Sequence, residues 1–250
     1  MTPDSFAGDG LAGDAGAAEA RAEMFRQDGA DLLDVGGRST RPGAPPVDVD
    51  EETRRVVPAI QRVARLGLPV SVDTSSADVA SAALDAGAAL INDVTALRGD
   101  PAMGRLVARA GVPVVMMDQD DRSGVPDVIA ATVAFLRERL AAARAYGVDE
   151  GRIILDPGYG FGLTVPQNME LLRRLHELTA IGRPILIGTS RKGSIGKVLN
   201  LPVHERLEGT AATVTVAIMH GVDIVRVHDV RAMVRVARMA DAIARVPPAM

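Results

Sequence analysis

The chain has 250 residues, with 28 basic and 32 acidic side chains, no cysteine and no tryptophan. That excludes disulfides, thiolate metal sites and a cysteine nucleophile, and at 2% aromatic residues it leaves no stacking platform for single-stranded nucleic acid. Hydrophobic residues make up 47%, enough for one core, so a single domain over residues 1–250 is expected; no apolar run approaches the roughly 18 residues of a membrane span, and the want of a leader before the first motif points to the cytoplasm.

The chain opens on a loop, Thr2-Pro3-Asp4-Ser5-Phe6, continued by Ala7-Gly8-Asp9-Gly10. Helical spacing then runs from Asp14 to Gln27. From there short apolar strands alternate with helical stretches. Strands are expected at Leu32–Val35, Val70–Val72, Leu90–Ile91, Val114–Met116, Ile153–Leu155, Ile185–Ile187 and Ile224–Val227. Helices are expected between them, at Glu51–Leu66, Val125–Tyr146, Gln167–Leu178 and Arg231–Ala244 among others. Glycines at 29, 87 and 221 stand where helices close and strands follow, as left-handed caps.

Alternating βα units argue for a parallel sheet. Seven strands after an opening loop and helix fit an α/β, (β/α)8 barrel of the TIM type that lacks its first strand in this chain. A doubly wound open sheet is the alternative, but Gly158-Tyr159-Gly160-Phe161-Gly162 has the wrong spacing for a dinucleotide fingerprint.

In such barrels the chemistry sits at the carboxyl ends of the strands. Reading those ends gives Asp34 and the loop to Arg41, Asp73-Thr74, Asn92-Asp93, Met117-Asp118, Asp156, Ser190–Lys192, and Arg226 with His228. In PILIGTSRKG, residues 184–193, a strand breaks into hydroxyls and two cations before a helix begins, which suits an anion. Arg226 and His228 lie two apart in an expected strand and would share a face, as in a phosphate clamp. Asp73, Asn92 and Asp156 suit a heterocycle rich in N–H donors and carbonyl acceptors, of which a pterin is one example. Lys192 would meet a ring atom, the Arg226 guanidinium would stack on the ring, and Thr40, Arg41 and His228 would hold a phosphate. Composition and spacing reach a polar, anionic, planar ligand and no further.

The stretches GADLLDVGGRSTRPGA, SVDTSSADVASAALDAGAALINDV, ILDPGYGFG, PILIGTSRKG and ERLEGTAATVTVAIMHGVDIVRVHDV resemble the dihydropteroate synthase family, in its order and across the whole chain, and TPDSF resembles its first loop. The resemblance implies condensation of 4-aminobenzoate with a dihydropterin-methyl diphosphate, release of pyrophosphate, Mg²⁺ as cofactor, and a homodimer. It implies that Asp73, Asn92, Asp156 and Lys192 hold the pterin with Arg226 stacked on it. Thr40, Arg226 and His228 would lie near the diphosphate, and Arg41 and the Phe6 loop would close over 4-aminobenzoate. Lys192, Arg226 and His228 are the residues expected to carry the chemistry; no side chain is assigned as a metal ligand.

The chain departs from the family pattern in several places. The family's first strand ends in an Asn that helps bind Mg²⁺ and diphosphate, and this sequence is read as starting after it. Arg38 replaces a usual Glu, Asp118 stands where His is common, Leu163 where Lys is common, and Gly193 removes a hydroxyl near 4-aminobenzoate. Two alternatives follow: a pterin-binding paralogue or scaffold without transferase activity, which Arg38, Asp118 and Gly193 favour, and a pterin-dependent methyltransferase with a poorer match in the SRK and TRPG loops.

Overall fold

The computed structural model describes residues 14–39 and 46–245. The expectation about the start of the chain, the Phe6 loop and Asp9 therefore fall outside the described residues, as do Thr40 and Arg41. The chain packs as two compact units: one formed by the described residues through Met116 with Arg139–Ile153, the other by Met117–Glu138 with the described residues from Ile154.

The first unit begins with helix α1, Ala15–Gln27, capped by Asp14, whose carboxylate accepts the N–H groups of Gly16 and Ala17. Strand β1, Leu33–Gly36, pairs in parallel with β2, Val70–Asp73, which pairs with β3, Leu90–Asp93, which in turn pairs with β4, Val114–Met117. β2, β3 and β4 are buried along their whole length, the polar Ser71, Asp73, Asn92 and Asp93 included, as expected of parallel strands covered on both faces. Between the strands lie α2, Val49–Val63, ending in a 3₁₀ turn, then α3, Ala77–Asp85, and α4, Met103–Ala110. Three acidic residues, Asp50, Glu51 and Glu52, fill the first turn of α2 and complement its dipole.

In the second unit α5 (Val128–Ala145) begins and β5 (Ile153–Asp156) ends. Helix α6, Val165–Arg173, opens with a capping box between Thr164 and Gln167, and a short α7, His176–Thr179, follows. Leu155 bridges in parallel to Ile185. β6, Leu186–Ile187, pairs in parallel with β7, Ile224–Val225. Helices α8 (Gly193–Leu199), α9 (Leu207–Met219) and α10 (Val230–Ala244) complete the unit. Val214 and Ile218 of α9 and Met233 and Ala240 of α10 form a buried cluster, with Val225 and Val227 packed against it.

Seven strands stand among the described residues, each at an expected place and within about two residues of its expected limits. The glycine caps also hold: φ is 94° at Gly29, 111° at Gly87 and 88° at Gly221. Two expectations are corrected. The single helix over 167–178 is two, α6 and α7, with Arg174 between them outside the helical region. The strand expected to reach Val227 ends at Val225, so Arg226 and His228 follow β7 and are not part of it.

One strand end is fully absorbed by the fold. Asp93, with no exposed surface, accepts the N–H of Thr95 at 2.9 Å and its hydroxyl at 2.6 Å with one oxygen, and the N–H of Leu97 at 2.8 Å with the other. These bonds hold Ala96 and Leu97 at φ 53° and 64°, a conformation that costs energy for residues with a side chain. Asp93→Ala is expected to lower stability by on the order of 3 kcal/mol, from buried donors left without an acceptor. Urea unfolding would show it as a fall in midpoint at unchanged slope.

Candidate functional site

In the first unit, the register sets Asp73 opposite Asn92, so their side chains leave the same face of the sheet at its carboxyl end. Both residues are buried, and the N–H of Thr74 continues the ladder to the Asn92 carbonyl at 3.1 Å. Arg38 donates to the Ser75 hydroxyl and lies 3.9 Å from the buried Glu52 carboxylate. The side chain that departs from the family's acidic residue is thus engaged within this unit.

The second unit gathers Asp156, Lys192, Arg226 and His228. Asp156 ends β5 and is buried; burial pushes its carboxyl up to about 6, against the pull of the Gly158 N–H, the Lys192 ammonium and the Arg226 guanidinium. One of its oxygens accepts the Gly158 N–H at 2.7 Å. Gly158 has φ 73°, and a Cβ there would collide with the Asp118 carbonyl oxygen, so only glycine lets the turn bring its N–H back to Asp156.

Lys192 precedes α8. Its ammonium donates to the Tyr159 carbonyl at 2.5 Å and lies 3.9 Å from the centre of the Phe161 ring. Burial is the main cause that brings it down to about 7, with Arg226 adding to the shift and Asp156 opposing it. The GYGFG loop is held in place by Asn168 of α6, which accepts the Gly160 N–H at 2.6 Å and donates to the carbonyls of Leu163 and Thr164. The Tyr159 hydroxyl meets Ser194 of α8 at 2.7 Å.

Arg226 is exposed, and its N–H still ladders to the Ile187 carbonyl at 2.9 Å. His228 turns Nδ1 toward the Ser190 hydroxyl at 2.9 Å, and the same hydroxyl accepts its backbone N–H at 3.2 Å. The two cations expected together in the SRK turn part company. Arg191 pairs with Asp229 through two hydrogen bonds of 2.9 and 2.5 Å, while Lys192 comes into the electrostatic range of Asp156. Of the hydroxyls, Thr189 accepts from Thr213 at 2.9 Å and Ser190 orients His228. The loop so far reads as a scaffold for one lysine and one histidine.

Sequence reasoning did not single out Asn168, Tyr159, Phe161 or Arg122 as contributors. The two aromatics lay in a motif that had been quoted. Asp118 and Arg122 lie in a loop, where a four-residue spacing signals no pairing; nothing in the sequence marked Arg122 or Asn168.

A model of the pterin binding enzyme family matches residues 1–228. The dihydropteroate synthase of Bacillus subtilis is 45% identical over 97% of this chain and 86% of its own, and that of Clostridium beijerinckii 44% over 98% and 92%. Among solved structures, the dihydropteroate synthase of Clostridium difficile in the presence of pteroic acid superposes with a TM-score of 0.90 at 44% identity, over 95% of this chain and 91% of its own. The Xanthomonas albilineans dihydropteroate synthase with 4-aminobenzoic acid gives 0.90 at 42%, over 98% and 89%. The fold class is that of these neighbours, the α/β barrel.

The raised acid of Asp156 has a consequence for stability. Its folded value, about 6, lies above the ordinary 3.8, so the folded chain holds this proton more tightly than the unfolded one. Stability contributed by the neutral form is lost as pH rises through that window, and the penalty is complete above it. Asp156→Asn, which keeps an acceptor for Gly158, is therefore expected to raise stability at pH 8 by on the order of 1 kcal/mol and to leave it unchanged at pH 4. Chemical denaturation at the two values checks the sign.

Proposed function

The chain belongs to the pterin binding enzyme family, among the dihydropteroate synthases, and from that premise we propose that it condenses 4-aminobenzoate with (7,8-dihydropterin-6-yl)methyl diphosphate to give 7,8-dihydropteroate and diphosphate. It is a transferase of folate biosynthesis. The observation that carries the assignment of residues is the buried Asp156 carboxylate at the end of β5, within the electrostatic reach of Lys192 and Arg226. The Gly158 N–H, the Lys192 ammonium and the Arg226 guanidinium favour its ionised form against burial, and an ionised carboxylate accepts from two N–H groups of a pterin edge at once.

Lys192, with its ammonium next to a ring face and a carbonyl, is proposed to meet a pterin ring atom. Arg226 is proposed to stack on the ring and, with His228, to draw the diphosphate. In the first unit, the strand-end residues Asp73 and Asn92 are proposed as pterin contacts, and Thr40 and Arg41, outside the described residues, as contacts to diphosphate and 4-aminobenzoate. The bond from the methylene carbon to the diphosphate oxygen breaks first, and its electron pair leaves with the diphosphate. The cation that remains is delocalised over the pterin. The amine of 4-aminobenzoate then forms the new C–N bond and gives up a proton. Side chains placed beforehand around developing charge do most of this work.

Mg²⁺ is part of the proposal. Among the described residues no group of three or more His, Cys, Asp or Glu side chains forms a metal cage. Mg²⁺ at phosphate substrates is usually held mainly by the phosphate oxygens, and when bound here it would supply positive charge at those of the diphosphate. No helix of the described residues is long and apolar enough to cross a membrane. A cytoplasmic location and a homodimer are part of the proposal.

Two measurements test the reading. Pyrophosphate release should require both the pterin diphosphate and 4-aminobenzoate; a chain that binds the pterin but releases none would be a scaffold. Asp156→Ala should lose several kcal/mol of pterin affinity by calorimetry, about two charge-assisted bonds at 1.5–3 kcal/mol each. Separately, His228→Ala should weaken the diphosphate-bearing pterin more than the pterin alcohol. Equal losses for the two ligands would remove the diphosphate role.

A further inference from the structure

In the loop after β5, the peptide group between Tyr159 and Gly160 is gripped from opposite sides. Its carbonyl accepts the Lys192 ammonium at 2.5 Å, and its N–H donates to Asn168 Oδ1 at 2.6 Å. A trans peptide is planar, with C=O and N–H pointing in opposite directions, so the two partners together set one orientation. The peptide does not choose that orientation by itself. Gly160 has φ 82°, and glycine takes positive or negative φ with similar ease, so the group could turn over at small cost. Turned over, it would set an N–H against the ammonium, donor against donor. Asn168 is 2% exposed, and its amide nitrogen donates to the carbonyls of Leu163 and Thr164 at 3.2 and 2.8 Å. Those two bonds fix which end of the amide is which, and they leave its oxygen facing the loop as an acceptor. The lysine stem lies against the same peptide: a Cβ at Gly160 would fall 2.4 Å from Lys192 Cδ.

We propose that Asn168 is a positioning residue for Lys192: by accepting the Gly160 N–H it locks the Tyr159–Gly160 peptide with its carbonyl turned to the ammonium. The inference rests on the reading of Lys192 as a pterin contact. A lysine carries its charge on a flexible four-carbon stem, and an ammonium drawn partly out of water needs an acceptor. An acceptor of fixed direction therefore decides where the charge stands. The Phe161 ring, 3.9 Å from the same ammonium, bounds it on another side, but a ring attracts a cation over its whole face and gives no single direction. The Tyr159 hydroxyl, 2.7 Å from Ser194, ties the loop to the first turn of α8 and keeps the carbonyl within reach of the lysine. Asn168 sets its direction, from α6, which supplies none of the proposed pterin contacts.

Lys192 and Lys197 are the only lysines in the sequence, so the full chain labelled with carbon-13 lysine gives two side-chain sets by NMR, told apart by the loss of one in Lys192→Met. In the parent the two Hε protons of Lys192 should differ in shift, as in a held ammonium, and in Asn168→Ala they should converge. Asn168→Asp keeps an acceptor for Gly160, in a first helical turn where negative charge is favoured, and should keep them apart. Calorimetry with 6-hydroxymethylpterin should show roughly a 3–10-fold loss of affinity in Asn168→Ala, the worth of one ordinary hydrogen bond. In a Lys192→Met background the same substitution should cost no affinity. A residue that only stiffens the loop would lower the melting temperature and cost the same affinity in both backgrounds. Coincident Hε signals in the parent, signals unmoved by Asn168→Ala or merged in Asn168→Asp as well, or an equal affinity loss with and without Lys192, overturn the inference. If Asn168→Ala does not fold, Asn168→Ser, whose hydroxyl can bond its own helix, makes the same comparison. Failure of the parent chain to bind the pterin would sink the proposed function, whereas the NMR comparison on the free chain still decides this one.

Discussion

A carboxylate at the end of a buried strand is ionised near neutral pH only if the surrounding chain supplies charge and hydrogen bonds to offset lost hydration. Asp156 is such a group, and much of the second unit can be understood as its support. Gly158 returns an N–H to it, Lys192 and Arg226 bring positive charge, and the Asp118 main chain fixes the strand end it leaves from. Each of these needs its own anchoring. Lysine is held by the Tyr159 carbonyl and the Phe161 ring, and those by a loop that Asn168 ties to α6. The dependence runs one way: loosening Asn168 would disturb the loop that holds Lys192, and through it Asp156.

The acid at about 6 and the ammonium at about 7 are two sides of one balance. Burial acts against both charged forms, and each stabilises the other. Their mutual attraction favours the charged form of each, the state matched to a neutral heterocycle that offers donors and acceptors on adjacent edges. A deeper, drier site would neutralise the pair, and an open one would leave each free to bind water instead of ligand. The observed burial lies where neither extreme wins.

The strands, their order and most helices were legible because their signals are local: short apolar runs, glycine after the last helical turn, and Thr-x-x-Gln before an apolar helix. The candidate residues were legible because a strand's carboxyl end is a fixed offset from its apolar run. Partner choice was not. Nothing local says that Arg191 turns to Asp229 while its neighbour Lys192 faces Asp156, because that choice is made by residues 38 and 36 positions away. Nor did the sequence reveal that Asp93 is absorbed by its own turn while Asn92 beside it is not, since both sit at a strand end with similar chemistry. The short extent of β7 was missed for a related reason: apolar spacing continues through Val227, but the hydrogen-bond ladder to β6 runs out first.

The SRK turn and the RVHDV segment, far apart in sequence, form one physical unit. Ser190 binds both the backbone and the ring of His228, Arg191 clasps Asp229, and the Arg226 N–H meets the Ile187 carbonyl. Arg191 holds a φ of 56°, unfavourable for a residue with a Cβ, and its main chain is pinned there by the Thr210 hydroxyl and the Arg206 guanidinium. That strained residue turns its side chain one way, to Asp229, and lets the next residue turn the other, into the electrostatic range of Asp156. A relaxed backbone at 191 would not separate two consecutive cations so sharply. The cost of the conformation is therefore tied to function: it places the proposed diphosphate-binding His228 and the proposed pterin-binding Lys192 on one rigid frame, so that neither can shift without the other.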